Sequence, residues 1–380
     1  MKSTGLIVEY NPFHNGHLYH IEKSKEVSSD SVKIAVMSGD FVQRGEPAII
    51  KKEIRSKMAI LNGADIVVEL PIFYSCQSAE IFAIGAVGIL EELECDEIVF
   101  GSERENLGEL EKIASIVEDL EFKEKMKQAL KLGESYINAY KIASEGKYDL
   151  NSNDILGVEY IKAIKYWNSK IIPKIIKRNN ASYYDEKTYE NITSGFNLRK
   201  LMRNKNDVNK FIPKNIVNIL LEEINEINLV LLEDFYPYIR YKIIDNKESL
   251  VNIQDMEKGY ENRLYKSAMK NNIFSNFLED IMSKRLSVGR TQRILIHILL
   301  GLTTEITEET KKEIPFIKIL DYNKKGQEYL NFLKKNKVTK FFTTFKNITK
   351  KFNTRNLELI NFNEKGNIIY KMINTTGVEK

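Results

Sequence analysis

A chain of 380 residues, 43% hydrophobic and 29% charged, has the balance of an ordinary folded protein, and at about 150 residues per domain it suggests two or three domains. Two cysteines, Cys76 and Cys95, are too few for a disulfide framework or a four-ligand zinc site, and no run approaches the roughly 18 uncharged apolar residues of a membrane span, since His297 interrupts the best one, 294–302. The net charge of +4 hides a split: residues 1–150 carry 17 Lys+Arg against 26 Asp+Glu, and residues 151–380 carry 40 against 27, so the second half is either a surface for nucleic-acid phosphates or simply lysine-rich, as the whole sequence is.

The first apolar run stops at Glu9 with no small-residue cleavage site after it, so the chain reads as cytoplasmic. A strand is expected over 4–8, opening on a loop of Pro, His and Gly. Helical spacing follows over 17–27, a strand over 33–37, a helix over 51–61, a strand over 66–70 stopped by Pro71, and a helix over 79–93. A strand over 97–100 ends at Gly101-Ser102-Glu103, a helix is expected over 107–131, and a fifth strand over 171–176. The strands are short, bounded by turn signals and apolar without alternation, as strands buried on both faces are. Alternation with helices implies βαβ units and an open parallel sheet, with ligand beyond the carboxyl ends of the strands. After about residue 200 the pattern turns helical, with amphipathic spacing over 216–232 and 273–282. A strand over 316–320, a helix after Asn323-Lys324-Lys325-Gly326, and β-branched and aromatic residues among lysines from Val338 suggest a small α/β end.

Three of the four histidines, His14, His17 and His20, fall within seven residues, where the first strand gives way to the first helix. A helix N-terminus presents unpaired N–H groups and the positive end of a dipole, so it attracts phosphate. Gly16 lets a ligand approach the backbone, and imidazoles beside it can donate to phosphate oxygens whose charge rises in a transition state. The other readings of these residues are helix caps, or a metal site, for which no carboxylate has the spacing of known zinc helices. Gln43-Arg44-Gly45-Glu46-Pro47 adds a loop after the second strand whose Arg and Glu suit phosphate or base contacts. Lys52 and Arg55 follow at helical spacing and face either the same pocket or solvent.

His14-Asn15-Gly16-His17 matches the HxGH motif of the HIGH-type nucleotidyltransferases. Four further strings extend the match: 8–17 (Val8-Glu9-Tyr10-Asn11-Pro12-Phe13 before the motif), 37–47, Glu69-Leu70-Pro71 and Phe100-Gly101-Ser102-Glu103. With Asn153-Asp154-Ile155-Leu156-Gly157, they resemble the bacterial tRNA(Met) cytidine acetate ligase family over nearly the whole chain. The resemblance implies an α/β fold: a Rossmann-like HIGH-type nucleotidyltransferase core with a parallel sheet, followed by a mostly helical, basic C-terminal region with a small α/β end. It divides the chain into an ATP/acetate domain, 1–203, and a tRNA-binding region, 204–380.

The implied activity joins acetate to ATP, giving acetyl-adenylate and pyrophosphate, and then acetylates N4 of the wobble cytidine of elongator tRNA(Met). ATP, with magnesium, is the implied cosubstrate, and no membrane, DNA, protein partner or resident metal is expected. The implied nucleotide loop runs over 8–21, through Val8, Glu9, Tyr10, Asn11, Pro12, Phe13, Asn15, Gly16, Leu18, Tyr19, His20 and Ile21, with His14 and His17 on the phosphates and Gly101, Asn153 and Arg178 at the nucleotide. Asp40, Gln43, Arg44, Lys52 and Arg55 are placed at the substrate pocket, with Asp40 a candidate base for the second step.

The family's phosphate-holding string corresponds to Ile192-Thr193-Ser194-Gly195-Phe196-Asn197-Leu198-Arg199. Ser194 and the catalytic candidate Arg199 are kept, Phe196 stands where a hydroxyl is expected, and Tyr184 stands where a histidine is. In the basic half, Lys284, Arg285, Arg290 and Arg293 put four cations in ten residues and are the expected tRNA contacts. Lysines over 334–351 interleave with Phe341, Phe342 and Phe345, which either stack on bases or belong to the core. The alternatives to the ligase are an adenylyltransferase for a small metabolite, which leaves the basic half unexplained, and a non-enzymatic RNA-binding protein.

Overall fold

The five apolar runs of the first half become the parallel strands β1 (Ser3–Val8), β2 (Val32–Ser38), β3 (Ile66–Leu70), β4 (Glu97–Ser102) and β5 (Ile172–Lys177). This computed structural model describes residues 1–104, 106–132, 134, 136–146, 152–177, 191–226, 229–283 and 286–375. The strand order β5-β4-β1-β2-β3 winds outward from β1 in one direction and then returns to β4 and β5 on the other side. The reversal lies between β1 and β4, and a crevice opens there beyond the carboxyl ends of the strands.

Each strand presents alternate residues to opposite faces, and both faces are covered. Ile34, Val36, Ile66, Val68, Ile98 and Phe100 join one core with the helix Ala79–Glu92 and much of the second half of the chain. Leu6, Val8, Ala35, Met37, Val67 and Val99 join the other, with the helices Asn15–Val27, Lys52–Leu61 and Gly195–Arg203. Two covered faces explain why the strands read as unbroken apolar runs.

Three features depart from the expected outline. The single helix over 107–131 is two, Leu107–Ile116 and Leu120–Lys131, because Asp119 accepts the Glu121 and Phe122 N–H groups at 2.8 and 3.3 Å and starts a new helix. The strand expected over 316–320 forms as β6 (Ile317–Tyr322), but it adds antiparallel to β3, and β7 (Phe341–Phe342) adds parallel to β6. One mixed seven-stranded sheet therefore takes strands from both sides of the 203/204 division. Third, the helix Thr354–Thr375 packs Leu359, Ile360 and Tyr370 inward together with Asn363, so its apolar stripe is interrupted. Asn363 Oδ1 accepts the Ile72 N–H at 2.9 Å and the Tyr370 hydroxyl donates to the Ala48 carbonyl at 2.6 Å, which fastens the end of the chain beneath the first half.

The run 294–302 is the buried end of the helix Val288–Leu300. The ring nitrogens of His297 lie 2.7 Å from the Cys76 carbonyl oxygen and 3.0 Å from that of Gln254. No helix among the described residues is long and apolar enough to cross a membrane. Both cysteines are buried, and burial pushes the Cys95 thiol up to about 12, which keeps it protonated and inert.

Candidate active site

A cleft of about 260 Å³ lies where the topology places it, against the carboxyl ends of β1, β4 and β5. Val8, Glu9, Tyr10, Asn11, His14, Gly16, His17, Tyr19 and His20 line it, as do Gly101 and Asn153. The rest of the expected nucleotide loop supports these residues from behind. Phe13 and Ile21 are fully buried, Leu18 packs on the same core, and Asn15 donates to the Asn191 and Lys210 carbonyls at 2.8 and 3.0 Å. Pro12 is also buried and, with Phe13, sets the path from β1 to the helix.

The two histidines together cap the N-terminus of the first helix. His14 is the N-cap of Asn15–Val27, its Nδ1 accepting the Gly16 N–H at 3.1 Å, while His17 Nδ1 accepts the His14 N–H at 3.2 Å. This reciprocal arrangement is a capping box built from imidazoles. Because both Nδ1 atoms accept, a neutral ring carries its proton on Nε2, so each presents a donor there. The rings stack with centroids 3.8 Å apart. A Cβ at Gly16 would stand 2.9 Å from the His14 ring, so a side chain there would displace it.

A second helix N-terminus meets the first. Ser194 caps Gly195–Arg203 by accepting the Asn197 N–H at 3.0 Å, and a Cβ on Gly195 would lie 3.7 Å from His14 Nε2 and 3.4 Å from the Arg199 guanidinium. Arg199 donates to the Asn11 carbonyl at 3.1 Å and pairs with Glu46 at 3.5 Å. Two helix dipoles, two imidazole donors and a guanidinium thus converge, and that set suits a polyphosphate. Phe196 is not part of the lining, whereas Thr193 and Ser194 are. Arg178 and Tyr184 lie outside the described residues.

The apolar wall was not anticipated. It consists of Ile7, Phe82, Phe100, Leu156, Tyr160 and Ile176. Asn153, Leu156 and Tyr160 stand at positions i, i+3 and i+7 of the helix Ser152–Tyr166 and so share the face turned to the cleft. That spacing was present in the sequence. His20 reaches across to within 3.0 Å of the Val99 carbonyl oxygen and fixes the wall against the first helix.

Three residues expected at the pocket are placed beneath it. Lys52 is 1% exposed and pairs with Asp40 at 2.8 Å and Glu69 at 2.6 Å, and Glu69 also meets Lys318 at 3.2 Å. Burial opposes charge on both acids: it pushes Asp40 up despite Lys52, whereas Lys52 and Lys318 outweigh it at Glu69 and hold that carboxyl at about 2. Arg55, wholly buried, donates to the carbonyls of Glu9 at 2.7 Å, Ser38 at 3.0 Å, Ile50 at 3.1 Å and Gly39. These cations hold the strand ends in place. Asp40, enclosed in this group and outside the lining, is not positioned to serve as a base there.

Gln43 and Arg44 do line the cleft. Their turn is held by Gly45, whose φ of +80° suits glycine, and a Cβ there would stand 2.2 Å from Arg293 N. The turn therefore seats directly on the helix Val288–Leu300. Gly45→Ala is expected to cost at least about 1–2 kcal/mol from the left-handed backbone alone, read as a lower urea midpoint with unchanged slope. Unaltered stability would mean that the turn neither holds this left-handed backbone nor rests on that helix.

Arg290 pairs with Glu257 at 2.6 Å and Arg293 with Asp255 at 3.2 Å, so the expected tRNA-contacting arginines are already engaged with a loop of their own half. Lys284 and Arg285 lie outside the described residues. Phe341 and Phe342 are core residues, and Phe345 is half exposed with Lys318 5.2 Å above its ring.

The HIGH Nucleotidyl Transferase family model matches residues 1–380. The chain is 47% identical to the tRNA(Met) cytidine acetate ligase of Fusobacterium nucleatum, over 97% of this chain and 95% of that one. It is 42% identical to the same-named protein of Caldicellulosiruptor saccharolyticus, over 88% and 85%. Among solved structures, apo TmcAL of Thermotoga maritima superposes with a TM-score of 0.91 at 33% identity, covering 98% of this chain and 95% of that one. TmcAL bound with alpha-thio ATP superposes with a TM-score of 0.88 at 32% identity, with the same coverage.

Proposed function

This chain belongs to the tRNA(Met) cytidine acetate ligases, within the HIGH nucleotidyl transferases, and from that premise we propose how its own residues carry out the reaction. It is a ligase that activates acetate with ATP and acetylates N4 of the wobble cytidine of elongator tRNA(Met), in the cytoplasm. The observation that carries this reading is the convergence of two helix N-termini, with His14, His17 and Arg199, on one cleft.

Acetate is ionised at neutral pH, since carboxyl groups ordinarily titrate at about 4, and needs no base to attack the α-phosphorus of ATP. A new P–O bond forms to acetate as the bond to pyrophosphate breaks. The cleft's task is to position the reactants and stabilise charge on the phosphoryl oxygens. His14 and His17 donate through Nε2, with the helix N–H groups and Ser194 beside them, while Arg199 holds the departing pyrophosphate. The wall around Gly101, Asn153 and Leu156 takes the nucleoside. No group of three His, Cys, Asp or Glu side chains among the described residues would cage a metal. Magnesium, which favours substrate phosphates over all-protein cages, would enter with the nucleotide.

Residues 1–203 supply this chemistry and 204–380 the polynucleotide surface. The helix Val288–Leu300 reaches the cleft mouth through the Arg44–Gly45 turn, so a tRNA loop lying along the basic half would present its base there. The test is pyrophosphate release from ATP with acetate, with and without tRNA, followed by mass analysis of the tRNA nucleosides. Acetate-dependent release together with N4-acetylcytidine is expected. Release that ignores both acetate and tRNA would point instead to a metabolite adenylyltransferase.

A further inference from the structure

The second step must remove a proton from an exocyclic amine, and the cleft offers few groups able to take it. The Nδ1 atoms of His14 and His17 already accept backbone N–H bonds, so their Nε2 atoms are donors, and the His20 ring is held through Nε2 at the Val99 carbonyl oxygen. Tyr10 and Tyr160 are phenols that burial pushes further up. Arg44 and Arg199 are cations. Asp40 is enclosed with Lys52, and Glu46, paired with Arg199, is not part of the lining. Among the described lining residues Glu9 is the one carboxylate.

We propose that Glu9 is a catalytic residue of the transfer step, accepting the N4 amine of the target cytosine as a hydrogen-bond donor and then taking its proton. This rests on the reaction assigned above and deepens it. Glu9 follows the last residue of β1, and the Arg55 guanidinium holds its carbonyl at 2.7 Å, so its backbone is fixed from beneath. Its Oε1 accepts the Gln43 N–H at 2.9 Å, which uses only part of a carboxylate's capacity to accept. Gln43 is itself held, its Nε2 donating to the Gln77 carbonyl at 2.9 Å, while Gln77 donates to Thr307 Oγ1 at 3.2 Å. Gln254 donates to Gln77 Oε1 at 3.4 Å. The carboxylate is thus positioned by a buried polar chain that runs into the second half of the molecule, at the side of the cleft where the Arg44–Gly45 turn meets the helix Val288–Leu300.

A carboxylate is the acidic side chain that pairs with the cytosine N4–H₂ group, and a uracil, with a carbonyl at that position, would be repelled. The same contact therefore recognises the base and activates it. Cytosine N4 is a weak nucleophile because its lone pair is delocalised into the ring. As N4 attacks the acetyl carbon, the N–C bond forms and the C–O bond to the adenylate phosphate breaks. AMP leaves with that electron pair, and the N4 proton passes to Glu9 and then to solvent.

The experiment compares wild type, Glu9→Gln and Glu9→Asp in two assays on the full chain. These are acetate-dependent exchange of pyrophosphate into ATP, and single-turnover formation of N4-acetylcytidine in tRNA(Met), with acetyl-adenylate quantified by mass spectrometry. Glu9→Gln is expected to slow transfer by about 10²–10⁴-fold, more than it slows exchange, so that acetyl-adenylate accumulates in the presence of tRNA. Glu9→Asp is expected to recover part of the transfer rate. Equal losses in both assays, or transfer at the wild-type rate in Glu9→Gln, would overturn the role of Glu9. A wild-type protein that forms no acetyl-adenylate would instead overturn the reaction on which it rests, and a Glu9→Gln protein that does not fold leaves Glu9→Asp to decide by the same ratio.

Discussion

His17→Gln should keep its fold and lose its chemistry, whereas His17→Ala should lose some of both. His17 does two things: Nδ1 accepts the His14 N–H and closes the capping box, and the ring lines the cleft, where in its neutral form Nε2 carries the donor proton. Glutamine is a natural residue at that position of a capping box, and its side-chain oxygen can take over the first task. It does not reproduce the imidazole or its stack on His14. Loss of one donor to a transition-state oxyanion typically costs about 10²–10³-fold in rate, and a fall of that size in acetate-dependent pyrophosphate exchange is expected for both variants. The melting temperature separates them: His17→Ala also forfeits a hydrogen bond worth about 0.5–1.5 kcal/mol, and His17→Gln does not. Affinity for tRNA should change little in either. A His17→Gln protein with normal exchange would show that the histidine is only a cap, which was one of the readings open to the sequence.

Much of this site was legible in the sequence because it is local. The capping pair, the glycine between its histidines and the strand before them lie within one short run, and their geometry follows from a strand turning into a helix. Ser194 and Arg199 were reached through the family's phosphate-holding string, and both line the cleft. What the sequence concealed depends on contacts between distant segments. Lys52 reads as facing either the pocket or solvent, until β6 brings Lys318 beside Glu69 and closes a buried group of charges around it. β6 itself was visible as a strand, but nothing in 316–320 says that its neighbour is a strand some 250 residues earlier in the chain. Arg290 and Arg293 looked free in the sequence because Glu257 and Asp255, which pair with them, come from a separate loop. Glu9 stood in plain view within the motif, yet its role depends on which other carboxylates reach the cleft, and that is a fact of three-dimensional arrangement.

The largest loss of stability should come from Lys52→Met, and its size should depend on pH. The ammonium is the cation that Asp40 and Glu69 share inside the protein, and burial, which by itself would lower its pKa, is outweighed by those two acids. Removing one partner of a buried pair typically costs about 3–5 kcal/mol, because the remaining charge is left without compensation. In the wild type the depressed Glu69 carboxyl, at about 2, contributes stability above its unfolded pKa of about 4.3, and loses it as pH falls toward 2. In the variant the acids face burial with only Lys318 remaining on Glu69, so Asp40 is driven to take up a proton on folding. A carboxyl raised in the folded state favours folding as pH falls. The two curves therefore converge, and the deficit measured by urea unfolding should be smaller at pH 5 than at pH 8. Lys52→Met combined with Asp40→Asn removes one of the stranded charges and should recover part of the loss at pH 8, a non-additivity that only contacting groups show. A deficit below about 1 kcal/mol, the typical value for an exposed ion pair, or one that does not vary with pH, would place Lys52 in solvent, one of the two environments its helical spacing leaves open.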